Sequence, residues 1–238
     1  MMRTLPLEMS TLRALLTRRR TVLLVLLAAL PVLIALLGRI AGGRGDVEEL
    51  LGGSVVGVCL PLIALVFGVS ALGTELEDGT AVYFLVKPVP RWRIVLAKAA
   101  VAAALTLALT VPATVLAGLV GRVSVNDTLA FAVAVVGGGL AYTSVFVALS
   151  VITSRALFLG LAYVLIWEGI LSGLLEGSLF LSIREATLAV ATELSSDPFL
   201  GRSALDITTA LVVLGGAILG GLAIASLRLA SYELKGGD

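Results

Sequence analysis

The amino-acid sequence predicts an all-α integral membrane protein, and three observations support this fold class. First, 59% of the 238 residues are hydrophobic and only 14% are charged, too few to cover the surface of a soluble domain. Second, the apolar residues form long uncharged blocks, and about 20 such residues cross the ~30 Å hydrocarbon core as a helix. Third, the alternation of a membrane barrel is absent, so helices must satisfy the backbone hydrogen bonds inside the blocks.

Six apolar blocks stand out, and each predicts one transmembrane helix. They are Thr21–Gly38, Leu51–Leu72, Ile94–Val120, Leu129–Ile152, Ala156–Leu175 and Ile207–Leu227. No linker separates them, so we expect residues 1–238 to form a single transmembrane domain. The competing interpretation of residues 1–42 is a secretory signal peptide. The 18-residue apolar core, without a small-x-small cleavage site after it, favours a spanning helix instead.

Two further segments are too polar to span a membrane. Residues 1–20 carry leucine and methionine at helical spacing with arginines between them, which predicts an interfacial elbow helix. Residues 176–205, between the fifth and sixth blocks, contain Ser182-Ile-Arg-Glu185, a sequence typical of a capping box. We expect a short helix there, ending near Leu194 and lying at the outer membrane surface.

The distribution of basic residues predicts the orientation in the membrane. Of the 17 Lys and Arg residues, 12 fall on the predicted side that holds both termini and residues 73–93, and 5 fall on the other. Loops that stay in the cytoplasm retain excess positive charge. We therefore expect a multi-pass protein of the cytoplasmic membrane with both termini in the cytoplasm.

Several classes of function are disfavoured by residues that the sequence lacks. There is no histidine and one cysteine, Cys59, which argues against histidine acid–base catalysis and the usual metal sites. No Gly-x-x-x-x-Gly-Lys-Ser/Thr loop is present to bind a nucleotide. The net charge of +1 gives no indication of a nucleic-acid partner. We expect neither catalysis nor a bound cofactor or metal on this chain itself.

Residues 73–93, between the second and third blocks, carry most of the polar side chains on the predicted cytoplasmic side. The residues of interest are Glu75, Glu77, Asp78, Gly79, Thr80, Tyr83, Phe84, Pro88 and Arg91. One interpretation is a solvated connector with Trp92 at the headgroups. The other is a docking helix that offers charged and aromatic groups to a cytoplasmic partner. The chemistry of the segment leaves both open.

This segment resembles the first cytoplasmic loop of type-2 ABC exporter permeases. The positions that carry the resemblance are Glu75, Glu77, Gly79, Thr80, Tyr83, Leu85, Pro88, Val89, Arg91 and Lys98. The layout is also similar: an elbow helix, six spans, and short external helices between the fifth and sixth spans. The likeness covers nearly the whole chain, although a large external domain is missing, which leaves the substrate class open.

The resemblance implies a transporter in which this chain is the membrane half. Two permease copies, as a homodimer or a related heterodimer, would pair with two ATPase subunits that bind ATP and Mg. The segment 73–93 would supply a coupling helix that sits in a groove of the ATPase. ATP binding would then rock the spans between inward-facing and outward-facing states.

Glu168 is the one acidic residue well inside a predicted span, and it follows Trp167. A carboxylate in hydrocarbon is costly, so we expect Glu168 to face a cavity, to pair with a partner or to be protonated. The functional interpretation places both residues on a substrate path or gate, and the structural one is a hydrogen bond to a neighbouring helix. Lys98, one turn into the third span, is expected to extend to the inner headgroups.

Two other functions remain as alternatives to a permease. A non-transporting assembly or sensor subunit would also dock an ATPase, and the sequence alone does not separate it from a transporter. An intramembrane enzyme is disfavoured, because a Ser–His dyad needs histidine and a paired-carboxylate site needs a second acid beside Glu168.

Overall fold

The chain folds into helices that pack side by side. The computed structural model describes residues 18–40, 48–77, 90–171, 182–195 and 205–231, and the ordered elements in these ranges are all helical. In chain order they are α1 (Arg18–Ile40), π1 (Glu48–Cys59), α2 (Leu60–Glu77), α3 (Arg91–Gly121), α4 (Val125–Ile152), α5 (Ala156–Ala162), π2 (Tyr163–Leu171), α6 (Ile183–Leu194) and α7 (Ile207–Ala230). The two π segments are wound more loosely than α-helix, and π1 runs directly into α2.

Five of the six predicted spans are confirmed as helices long and apolar enough to cross a membrane: α1, the continuous π1–α2 helix, α3, α4 and α7. The fifth block forms α5 and π2, where the apolar stretch Ala156–Glu168 is shorter than a full span within the described residues. A sixth span therefore stays a prediction. The predicted elbow falls outside the described residues except for 18–20, which belong to α1.

The bundle has two ends, which we name after one residue at each. At the Trp92 end, α2 and α4 stop and α3 and α5 begin; at the Arg122 end, α3 stops and α4 begins. Arg122 closes α3 in the left-handed conformation (φ 58°), with its N–H directed at the carbonyl oxygens of Gly118 and Leu119. Ser124 then caps α4 by accepting the N–H of Asp127.

Helix α4 is the centre of the packing and contacts α2, α3, α6 and α7. Its aromatic residues are buried between these neighbours. The ring of Phe146 stacks on Tyr142 at 5.9 Å and meets the edge of Tyr163 at 6.5 Å. Because the middle of α4 is covered on several sides, a side chain placed there must find its hydrogen-bond partners within the protein.

Helix α6 confirms the predicted helix but not its predicted position. Thr187 packs so closely on Gly138 of α4 that a methyl group there would clash with its side chain. Gly138 is the fourteenth of the 28 residues of α4, about 20 Å from its start at 1.5 Å per residue. The helix therefore begins beside the middle of α4 and ends at the Arg122 end, and its predicted location at the outer membrane surface stays a prediction. Its polar ends, which look solvated in sequence, are hydrogen-bonded inside the protein.

Neighbouring glycines of α7 give a direct test of how α7 packs on α4. A methyl group on Gly221 would lie 2.7 Å from the backbone carbonyl carbon and oxygen of Ser144, whereas Gly220 has open space around it. We expect Gly221→Ala to force the helices apart and to lower the free energy of unfolding by about 1–3 kcal/mol. Gly220→Ala is the control and should be neutral or slightly stabilising, because alanine favours helix. Thermal denaturation in detergent measures both, and equal melting temperatures would contradict the packing.

Candidate functional site

The first polar cluster lies at the Trp92 end, where Glu75 of α2 meets Lys98 of α3. The ammonium of Lys98 donates to Oε2 of Glu75 at 2.5 Å, and the two residues are 2% and 24% exposed. A buried ammonium requires such a partner, because removing its hydration is costly. The expectation that Lys98 extends to the headgroups is therefore wrong: α2 continues beyond the predicted span and places a carboxylate beside Lys98.

Arg91 forms a second connection at the same end. Its Nη1 donates to the carbonyl oxygens of Leu229 at 2.6 Å and Ala230 at 2.7 Å, in the last turn of α7. Carbonyls at a helix C-terminus lack intrahelical donors, and a cation there is favoured by the helix dipole. Next to it, the guanidinium of Arg93 lies 5.2 Å from the ring centre of Trp92. The start of α3 is thus attached to the end of α7.

These contacts locate both ends of the candidate docking segment. Glu75 and Arg91 lie at the Trp92 end, and Glu77 is the last residue of α2. The other candidates lie outside the described residues, namely Asp78, Gly79, Thr80, Tyr83, Phe84 and Pro88. The structure therefore shows where the segment leaves and rejoins the bundle. Whether it is a connector or a docking helix stays open at this point.

The second polar cluster surrounds Glu168 of π2, which is 1% exposed. Its Oε1 accepts the hydroxyl of Tyr163 at 2.8 Å and the backbone N–H of Ile183 at 3.1 Å. Its Oε2 accepts the hydroxyl of Ser182 at 2.7 Å and the backbone N–H of Arg184 at 3.2 Å. Each oxygen therefore has two donors, which satisfies a carboxylate.

This geometry favours the structural interpretation of Glu168 over that of a cargo-binding group. Three of its four donors belong to the N-terminal cap of α6, so the bonds join π2 to α6. Arg184 adds a bond from Nη1 to the backbone oxygen of Glu168 at 3.3 Å. Within the described residues, the buried Nε1 of Trp167 and Nε of Arg184 have no hydrogen-bond partner. The predicted gate role of Trp167 stays a prediction.

Sequence reasoning missed a third cluster, centred on Asp127 at the Arg122 end. This residue is 4% exposed. Its Oδ2 accepts the hydroxyl of Ser124 at 2.5 Å, and its Oδ1 accepts that of Ser195 at 2.5 Å. The spacing Ser124-x-x-Asp127 has the form of a capping box and could have indicated that α4 begins before Leu129. Nothing in the sequence indicates Ser195 as a partner.

Several buried hydroxyl groups outside these clusters are satisfied within their own helix. The hydroxyls of Thr106, Thr110 and Thr114 on α3 each donate to the carbonyl four residues earlier in the same helix. In the described parts of the chain, no three His, Cys, Asp or Glu side chains come together as a metal site would need. The clusters at Glu75, Glu168 and Asp127 are therefore suited to holding helices together.

Comparison with known proteins places this architecture in a family. A family model described as ABC-2 family transporter protein matches residues 9–234. None of the curated proteins and none of the solved structures matches the chain. The matched range includes all the helices described above and the whole of the segment 73–93.

Proposed function

Because the chain belongs to the ABC-2 transporter family and is therefore a permease component of an ABC transporter, we propose that it is the membrane half of an ATP-driven exporter. Its five long apolar helices make it a multi-pass membrane protein. The family implies an ATPase partner, which in our proposal is a separate polypeptide that binds ATP and Mg²⁺. Residues 1–238 contain no phosphate-binding loop, so we assign nucleotide binding to the partner.

In this proposal the Trp92 end faces the cytoplasm. The predicted loops at this end hold most of the Lys and Arg residues of the chain, as cytoplasmic loops do. Trp92 is half exposed and has the guanidinium of Arg93 over its ring, an arrangement suited to the headgroup layer. Glu77 and Arg91, where the described helices leave and rejoin the segment, are then on the side from which a cytoplasmic ATPase would approach.

The observation that carries the proposal is that both ends of this segment are attached to other spans. The Glu75–Lys98 ion pair joins α2 to α3, and the bonds from Arg91 join α3 to α7. A displacement of the segment by the ATPase would therefore move three helices together. Rigid-body movement of packed helices is the kind of change that alternating access requires. Two such chains would form the complete pore with two ATPases.

Reversal of one charge in the segment 73–93 tests the docking directly. We expect Glu77→Lys to reduce the amount of ATPase that co-purifies with the permease by about threefold or more, because an acid there would be complementary to basic ATPase residues. The matched control is Glu193→Lys, an exposed acid on α6 far from the Trp92 end. Equal ATPase recovery with both variants would count against docking at this segment.

A second measurement separates a transporter from a non-transporting partner. Candidate substrates, added to the purified complex in lipid, should change the ATPase rate if the chain couples cargo movement to hydrolysis. A scaffold would bind the ATPase and leave its rate insensitive to every compound tested. Stable co-purification together with such insensitivity would favour the scaffold.

A further inference from the structure

Helix α6 is held at both ends by buried carboxylates from two different helices. Its N-terminal cap and first turn lie against Glu168 of π2, and its C-terminal cap Ser195 lies against Asp127 of α4. These acids are 1% and 4% exposed. Hydrocarbon and protein interior both disfavour a charged group without partners, so each carboxylate is costly unless its bonds to α6 are kept.

The N-terminal attachment uses groups that α6 cannot satisfy itself. The first backbone N–H groups of a helix have no intrahelical acceptor, and the helix dipole favours a negative charge beside them. Glu168 accepts the N–H groups of Ile183 and Arg184 at 3.1 and 3.2 Å. The side chain of Arg184 lies beside Gly57 of π1, where a methyl group would be 3.3 Å from its Nε. This end of α6 therefore contacts both π1 and π2.

The C-terminal attachment is a single side-chain contact with one clear partner. Ser195 donates to Oδ1 of Asp127 at 2.5 Å, while Oδ2 of Asp127 is engaged by Ser124, which caps α4. Between the two attachments, Thr187 packs on Gly138 without room for another atom. Helix α6 is thus fixed to α4 at its end and at its middle, and to π2 at its start.

We propose that Asp127 and Glu168 are positioning residues that make α6 move with α4 and π2 as one body during the transport cycle. This inference rests on the proposed function for the existence of a cycle, but the attachments themselves do not depend on it. Glu168 in this view holds α6 and does not touch the cargo. An α6 that swung freely as a separate lid would have to break five hydrogen bonds, four with Glu168 and one with Asp127, and would lose the contact of Thr187 with Gly138.

The test follows the exposure of position 187 in the permease–ATPase complex. The native Cys59 is replaced by alanine, and Thr187→Cys supplies a thiol that is buried against Gly138. A membrane-impermeant maleimide is applied without nucleotide and after trapping with ATP, Mg²⁺ and vanadate. With the attachments intact, labelling should be slow in both states.

Two variants cut an attachment, and each has a matched control. Ser195→Ala removes the bond between α6 and Asp127, whereas Ser124→Ala removes a bond to the same carboxylate within the cap of α4. Glu168→Ala releases the N-terminus of α6, whereas Tyr163→Phe removes a donor that belongs to π2 itself. We expect labelling about tenfold faster in Ser195→Ala and Glu168→Ala, and within about twofold of the parent in the controls.

Two outcomes would overturn the proposal. One is labelling in Ser195→Ala at the rate of Ser124→Ala, and this single-hydroxyl variant keeps the test available if Glu168→Ala does not assemble. The other is rapid labelling of the parent only in the trapped state, which would show α6 leaving α4 during the cycle. Labelling without nucleotide depends only on the attachments of α6, so it tests this proposal by itself. Failure of the proposed function would be seen in a different measurement, as loss of ATPase co-purification.

Discussion

Replacement of Glu168 by alanine is expected to lower the free energy of unfolding by about 3–5 kcal/mol. The substitution removes the acceptor of four hydrogen bonds at a site that is 1% exposed, so water does not readily replace it. The two backbone N–H groups of α6 among these donors have no other acceptor within the helix. The measurement is denaturant titration of the purified protein in mixed micelles, followed by circular dichroism.

Two variants show whether this effect comes from the hydrogen bonds. Glu168→Gln keeps one acceptor oxygen and should lose roughly half as much stability as the alanine variant. Glu193→Ala removes an exposed acid from α6 and should change stability by less than about 0.5 kcal/mol. If Glu168→Ala unfolds at the same denaturant concentration as Glu193→Ala, the bonds to Glu168 do not stabilise the fold.

Loss of Glu75 is expected to be nearly as damaging, and more damaging than loss of its partner. Glu75→Ala leaves the ammonium of Lys98, 2% exposed, without its carboxylate, and should lower the free energy of unfolding by about 3 kcal/mol. Lys98→Met should cost less, because Glu75 is 24% exposed and water can reach it once the ammonium is gone. The same denaturant titration measures both.

A double-mutant cycle separates the interaction energy of the ion pair from the contribution that each side chain makes by its own packing. The combination of Glu75→Ala with Lys98→Met removes the buried charge as well as its partner, so it should be more stable than Glu75→Ala alone. A double variant as unstable as the sum of the two single variants would mean that the groups do not interact.

The sequence predicts the long spans well because lipid permits few alternatives. An uncharged block of sufficient length must be helical in hydrocarbon, whatever its neighbours are. This reasoning identifies α1, π1–α2, α3, α4 and α7. It places the ends a few residues inside the observed ones, because it assigns polar residues such as Glu75 and Asp127 to loops. Their hydrogen-bond partners in the structure allow these residues to join the helices.

The sequence predicts the partners of buried polar groups poorly, because these depend on which helices are neighbours. The spacing of Ser182 and Glu185 identifies a helix start, but it carries no information about which helices α6 packs against. Lys98 looks like an interfacial lysine until Glu75 is known to lie opposite. Glu168 stands out in the sequence as an acid inside an apolar block, whereas three of its four donors depend on the packing of α6 against π2.

The contact of Arg91 with the end of α7 has a practical consequence for labelled forms of this protein. Its bonds to Leu229 and Ala230 place the last described residues of the chain directly beside the start of α3. A fluorescent protein or affinity handle fused soon after Ser231 would therefore begin next to the place where the ATPase is proposed to sit, and it would compete for that space. A long flexible spacer is the better choice, because it allows the fused domain to stay clear of the subunit contact.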